Sequence, residues 1–156
     1  MKFQAMKLLN LLKISPIAFL ILFSTQCSKY KGETEKYTVD GSGNGMQVVP
    51  ASVSAATASM VGDYNSGNNT LSGTLSWTGL SGAPTLIHLH GFAKPGRNNI
   101  YQFVLVKVPV VASGSMTFQS IFTEAQEGSL ISGLYYYDIH TAAFPEGEVR
   151  GQILLQ

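Results

Sequence analysis

The chain has 156 residues, of which 45% are hydrophobic and only 12% are charged, and this length suits one domain. From residue 27 onward there are seven Lys and Arg residues against nine Asp and Glu residues. No basic surface is available to neutralise phosphates, so nucleic-acid binding is not expected. The single cysteine excludes an intrachain disulfide and a cysteine-based zinc site.

The N-terminal residues have the order of a secretory signal. A cationic segment without acidic residues precedes an uncharged apolar run at 14–23, and small and polar residues follow. This run is short for a membrane span, which needs about 20 residues. The sequence therefore predicts a signal peptide over 1–26 and an exported protein.

Cys27 lies where the apolar run ends, a position that resembles the lipid-acceptor cysteine of bacterial lipoproteins. Ser24 and Gln26 stand where that motif usually has Leu and a small residue, and the alternative is an incidental cysteine after an ordinary signal. A lipid explains the lone thiol. We therefore expect a lipidated, flexible tether over 27–44 and anchoring in the bacterial cell envelope, with the outer membrane as the expected membrane.

Beyond the tether, apolar and polar residues alternate. The stretch TLSGTLSWTGL at 70–80 has the period of two that is typical of an antiparallel strand with one buried face. Further strands are predicted within 51–64, 85–92, 99–108, 114–122, 133–141 and 147–156. About seven short strands with Gly, Pro and Asn turns predict an all-β, antiparallel β-sandwich. Thr123 and Gln126 form a capping box, which predicts one short helix near 124–132 that Gly133 ends.

The candidate site is carried by the only three histidines of the chain, two of which lie in the stretch LIHLHG. Side chains at i and i+2 of a strand point the same way, so His88 and His90 share a face while Ile87 and Leu89 take the core face. His140 ends the stretch YYYDIH. If the two strands are neighbours, three imidazoles with an open fourth position suit copper or zinc.

A polar network without metal is the other interpretation of the same residues. Glu148 and Arg150 share one face of the last predicted strand, so the guanidinium can fork onto a carboxylate beside the histidines. In the metal interpretation, Asp138 or Glu148 would orient the imidazoles from outside. Both interpretations remain open at this point.

Four stretches of the chain resemble the CHRD domain, a module named from chordin that is also found in bacterial exported proteins. They are MQVVP at 46–50, LSWTGLSGAPTLIHLHG at 75–91, TEAQEGSLISGLYYYDIHT at 123–141 and FPEGEVRGQI at 144–153. The resemblance predicts a CHRD domain over 45–156. Asp138 is a departure, because the family more often has Asn at this position.

The CHRD family is in turn distantly similar to the β-sandwich of the copper/zinc superoxide dismutases. This similarity implies a Greek-key sandwich or barrel, immunoglobulin-like or dismutase-like in type. It also places His88 and His90 at a His-x-His copper pair and His140 at a later copper ligand. With three histidines in total, the bridging histidine of those enzymes has no counterpart, and a zinc site of that kind is not implied.

Two hypotheses of function follow. In the leading one, the chain is an envelope-anchored CHRD-domain lipoprotein that acts as a non-catalytic binding or scaffolding module, with the membrane and an unknown protein or ligand as partners. In the alternative, it binds copper or zinc through the three histidines and has weak dismutase-like chemistry. No nucleophile motif such as G-x-S-x-G is present, so an enzyme is not favoured, and a metal is the only cofactor considered.

Overall fold

A computed structural model describes residues 33–156; the expected signal peptide over 1–26 and Cys27 lie outside the described residues. The described chain forms eight strands, one α-helix and one 3₁₀ turn. In chain order these are β1 (Lys36–Asn44), the turn (Gly45–Gln47), β2 (Thr57–Asn65), β3 (Thr70–Thr78), β4 (Pro84–His90), β5 (Tyr101–Val104), β6 (Gly114–Ile121), α1 (Glu124–Ile131), β7 (Tyr135–Thr141) and β8 (Val149–Leu155). Within 33–156, no helix has the length and apolar character needed to span a bilayer.

The strands form one antiparallel sheet in the order β5-β4-β7-β8-β1-β2-β3-β6, which curls into a nearly closed barrel or sandwich. The connections from β3 to β4 and from β6 to β7 join strands that are not neighbours, as in a Greek key. The expectation of an all-β, antiparallel fold with one short helix is confirmed. The helix begins after the predicted capping box, in which the Thr123 backbone N–H donates to Gln126 Oε1, and Gly133 follows it with a φ of 66°.

The expected tether was wrong over residues 36–44, because these residues form β1 in the interior of the sheet. β1 pairs with β2 along its whole length and with β8 on its other side. Gly41 and Gly43 give this stretch the composition of a linker, but in the sheet their missing side chains leave room for a core residue. The buried Tyr137 ring lies against them, and its hydroxyl donates to the Gly41 carbonyl over 2.8 Å.

The core lies on one face of the sheet, and β7 contributes three fully buried side chains to it. Tyr135, Tyr137 and Ile139 of β7 point into the core with exposed fractions of 0%. Unlike β2 and β6, which alternate buried and exposed residues, β7 is buried at every position. Its outward-facing residues are therefore covered by loops, and these residues include Asp138 and His140.

One predicted strand is shorter than expected. Of residues 99–108, only Tyr101–Val104 pair with β4, and the chain then leaves the sheet through Lys107, whose φ is 61°. The apolar run at 104–108 predicted a longer strand, but a left-handed residue cannot continue one. β5 is thus a short edge strand, and the loop before it lies close to the end of β4.

We predict that Gly151→Ala destabilises the protein by about 1–3 kcal/mol, because a methyl group there overpacks the barrel. Its Cβ would lie 2.5 Å from the hydroxyl oxygen of Tyr137. Urea unfolding measures the change. Gly82→Ala is the matched control, since nothing lies within 4 Å of its Cβ, and equal stabilities of the two variants would contradict this account of the packing.

Candidate metal centre

β4 and β7 bring all three histidines together around Asp138. The register places His88 directly opposite Asp138, while His90 and His140 each lie one alternate position away on the same face. The His88 ring centroid is 5.6 Å from that of His90 and 4.9 Å from that of His140. One donor atom from each of the four residues lies within 4.8 Å of the other three.

The Asp138 carboxylate is the centre of this cluster. Its Oδ2 lies 3.0 Å from His90 Nε2, its Oδ1 lies 3.0 Å from His140 Nε2, and Oδ1 lies 3.7 Å from His88 Nδ1. The sequence had suggested Asp138 only as a residue that orients the imidazoles. Its side chain instead contacts the rings directly, as a fourth potential ligand.

The second ring nitrogens of two histidines are held by backbone carbonyls. His90 Nδ1 lies 2.7 Å from the Asn99 carbonyl oxygen, and His140 Nδ1 lies 2.8 Å from the Pro145 carbonyl oxygen. A carbonyl only accepts hydrogen bonds, so each Nδ1 carries the proton. The Nε2 atoms of the neutral rings then present lone pairs to the carboxylate.

With neutral rings, no hydrogen or positive charge would lie between the Nε2 atoms and the carboxylate. A neutral imidazole has one N–H, yet both nitrogens of His90 and of His140 face oxygen acceptors. The contacts become favourable if both rings are protonated, or if a cation lies among the Nε2 atoms and the carboxylate. A metal ion there would satisfy the lone pairs of His90, His140 and Asp138 together, as well as that of His88.

Electrostatics in the cluster agree with this geometry. Burial raises the pKa of Asp138, but the close contacts with His140 and His90 outweigh burial and lower it to about 2. Burial lowers the pKa of His140, but the Asp138 carboxylate raises it above its usual value overall. Burial dominates at His88 and lowers its pKa. Asp138 is thus a permanent anion near neutral pH, and it requires a cationic partner.

Arg150 lies on the other side of Asp138, opposite it in the β7–β8 register, and is only 2% exposed. Its guanidinium carbon lies 3.5 Å from the centroid of the Tyr136 ring. The guanidinium donates to Asn98 Oδ1 over 3.1 Å and to the Lys94 carbonyl over 3.4 Å. Arg150 therefore ties the loop before β5 to the site.

Glu148 does not join Arg150, so the expected network between these two residues is wrong. The Glu148 carboxylate accepts hydrogen bonds from the hydroxyls of Ser54, Ser81 and Thr141 and from the Ser81 backbone N–H. β8 begins only at Val149, so the strand alternation that placed Glu148 beside Arg150 does not extend to it. Glu148 instead joins three loops, and its side chain is fully buried.

Several contacts of the site were missed from the sequence. His90 stacks on Tyr136 at a centroid distance of 4.5 Å, and His88 stacks on Tyr101 at 4.6 Å. The place of Tyr136 on the site face could have been predicted, because it alternates with Asp138 and His140 in the stretch YYYDIH. The contact of Tyr101 with His88 could not have been predicted from the sequence, because it depends on how β5 folds back onto β4.

A small cavity of about 160 Å³ lies beside the cluster. His90, Asp138 and His140 line it together with Asn99 and Glu146. The cavity gives an ion or a water molecule a route to the carboxylate, which is itself buried.

Residues 40–153 match the family model of the CHRD domain, which is more than half of the chain. The chain therefore belongs to the CHRD domain family, and such a domain is consistent with a binding or scaffolding module. No curated protein and no solved structure matches the chain.

We predict that Glu148→Gln lowers stability at neutral pH by about 1–3 kcal/mol, because buried donors lose a charged acceptor. Burial raises the pKa of Glu148, but hydrogen bonds from Thr141, Ser81 and Ser54 hold it below its usual value. Because the folded pKa is depressed, this stabilisation is present above about pH 4.5 and is lost as the pH falls below that value.

Urea unfolding of the variant and the wild type at pH 7 and at about pH 3 measures this difference, which should shrink in acid. Glu146→Gln is the control, since Glu146 is exposed two residues away and its replacement should change stability by less than about 0.5 kcal/mol. A penalty that is the same at both pH values would contradict the role given to the Glu148 charge.

Proposed function

We propose that the domain binds one divalent transition-metal ion, zinc or copper, through His88, His90, Asp138 and His140. The observation that carries the proposal is the pair of Nε2 atoms that face one buried carboxylate at 3.0 Å. Both Nδ1 atoms of these rings are already taken by carbonyl oxygens. A cation among the four side chains would satisfy all of them at once.

The donor set suits such an ion. Three imidazole nitrogens and one carboxylate oxygen bind zinc at about 2.0–2.2 Å, which places tetrahedral ligand atoms roughly 3.3 Å apart. The potential ligand atoms already lie within 4.8 Å of one another, so small side-chain rotations are enough. Imidazole ligands favour zinc and copper among the common divalent metals, whereas magnesium and calcium prefer sites made of oxygen ligands.

The four ligands support a binding role rather than turnover. The histidines alone left a fourth position open for a substrate or a water, but Asp138 provides a protein ligand for it. A site with four protein ligands has the composition of a structural or storage site. An ion there would connect β4 to β7, two strands whose site residues are about fifty positions apart in the chain. This fits the binding or scaffolding role that is consistent with a CHRD domain.

Metal binding is tested on the full chain purified in detergent, by calorimetric titration with Zn²⁺ and with Cu²⁺. We expect one ion per chain and a rise in melting temperature, because an ion at 100 times its dissociation constant stabilises the fold by about 2.7 kcal/mol. His140→Ala and Asp138→Ala should each weaken binding at least tenfold.

Asp63→Asn is the matched control for this titration, because the change also removes one carboxylate but Asp63 is exposed on β2, outside the cluster. It should leave the affinity within about twofold of the wild type. Absence of ion uptake by the folded wild type, or uptake that His140→Ala leaves unchanged, would refute the metal site.

We further propose that the domain is held in the bacterial cell envelope by a lipid on Cys27, with the outer membrane as the expected site. The order of a cationic segment, an apolar run and a cysteine supports this proposal. The sheet begins at Lys36, so the chain from Cys27 to β1 spans at most about 30 Å when fully extended. The domain would then lie close to the membrane surface.

Labelling of expressing cells with radioactive palmitate tests the anchor. The wild-type chain should incorporate the label and fractionate with membranes, because acyl chains stabilise membrane association by about 0.8 kcal/mol per buried CH₂ group. Cys27→Ser should lose both properties. Equal labelling of the two proteins would refute lipidation at Cys27.

A further inference from the structure

Tyr136 contacts three groups in and around the site: the His90 ring, the Arg150 guanidinium and the Asn99 backbone. Its ring stacks on His90 at a centroid distance of 4.5 Å with an angle of 9° between the planes. The Arg150 guanidinium lies over the same ring in a cation–π contact. The Tyr136 hydroxyl accepts a hydrogen bond from the Asn99 backbone N–H over 3.2 Å and donates to the Asn99 carbonyl over 3.3 Å. The side chain is only 2% exposed, so these contacts are shielded from water.

The Asn99 carbonyl is the group that fixes the His90 ring. Its oxygen accepts from His90 Nδ1 over 2.7 Å as well as from the Tyr136 hydroxyl. Residues 94–100, which include Asn99, form no strand and are exposed. A carbonyl on such a loop needs an anchor if it is to hold an imidazole in one orientation, and the Tyr136 hydroxyl contacts both the backbone N–H and the carbonyl of Asn99.

We propose that Tyr136 is a positioning residue for the metal ion of the proposed function, on which this inference rests. Its hydroxyl holds the Asn99 peptide, the carbonyl keeps the proton of His90 on Nδ1, and Nε2 is thereby directed towards the ion. Groups that hydrogen-bond to a metal ligand, without contacting the metal, change the metal affinity because they set the tautomer and the orientation of the ligand ring. His140 is held by the Pro145 carbonyl, which no tyrosine hydroxyl contacts among residues 33–156.

The ring and the hydroxyl of Tyr136 have separable roles. Stacking against His90 and the cation–π contact with Arg150 depend on the ring. The contacts with Asn99 depend on the hydroxyl alone. Tyr136→Phe therefore removes the proposed positioning contact and keeps the packing.

The test compares Zn²⁺ binding by the full chain in detergent with binding by its Tyr136→Phe variant. We expect the dissociation constant to rise about tenfold, the lower end of the effect of such hydrogen-bonding groups, while the melting temperature without metal changes by only a few degrees. Tyr101→Phe is the matched control. Tyr101 stacks on His88 but is 54% exposed, and this variant should retain the wild-type affinity.

A second readout separates positioning from general loosening of the fold. The chain has three histidines, so their ring nitrogens can be assigned one by one in ¹⁵N spectra. In Tyr136→Phe, we expect the shifts of His90 to move towards a mixture of tautomers while those of His140 stay in place. Equal movement at both rings would indicate a structural effect and overturn the inference.

The outcomes distinguish the two proposals. A wild-type chain that binds no Zn²⁺ refutes the proposed function itself. A wild type that binds Zn²⁺, with Tyr136→Phe equal to it in affinity and in the His90 shifts, overturns only the role of Tyr136. If Tyr136→Phe does not fold, a protein with 3-fluorotyrosine at position 136 is used instead. The fluorine changes the hydrogen-bond donor strength of the hydroxyl but keeps the hydroxyl in place. If the ¹⁵N shifts of His90 are then the same as in the wild type, the inference is overturned.

Discussion

One buried carboxylate organises the outer face of this barrel. Asp138 lies between His90 and His140 at hydrogen-bonding distance from both, with His88 close by. An anion with so little access to water is stable only if positive charge surrounds it. Arg150 supplies positive charge from beside the cluster, whereas neutral imidazoles with Nε2 lone pairs towards the carboxylate would leave the requirement unmet. An ion at the site would meet it in one step.

The topology of the sheet brings the residues of this cluster together. The Greek-key order places β4 against β7, although strands β5 and β6 and helix α1 come between them in the chain. Loops at opposite ends of the two strands then supply the second layer of contacts, Asn99 from one end and Pro145 from the other. Coverage of the outer face of β7 by these loops explains why the strand is buried at every position.

The sequence predicted the parts of this arrangement that depend on local periodicity. Alternation placed His88 and His90 on one face, and the capping box at Thr123 predicted α1. The sequence did not predict β1, because its glycines have the composition of a linker and their role becomes visible only with the Tyr137 ring against them. Glu148 was misplaced because the strand period was extended one residue too far. The carbonyls of Asn99 and Pro145 leave no trace in side-chain patterns at all.

The position of β1 has a mechanical consequence. The chain enters the folded part through a strand that is hydrogen-bonded along both edges, to β2 over its full length and to β8 on the other side. Tension arriving from the N-terminal side would act first on β1, which hydrogen bonds from β2 and β8 hold on both sides. A domain tied to a surface by its N-terminus would thus resist pulling through the most interior part of its sheet.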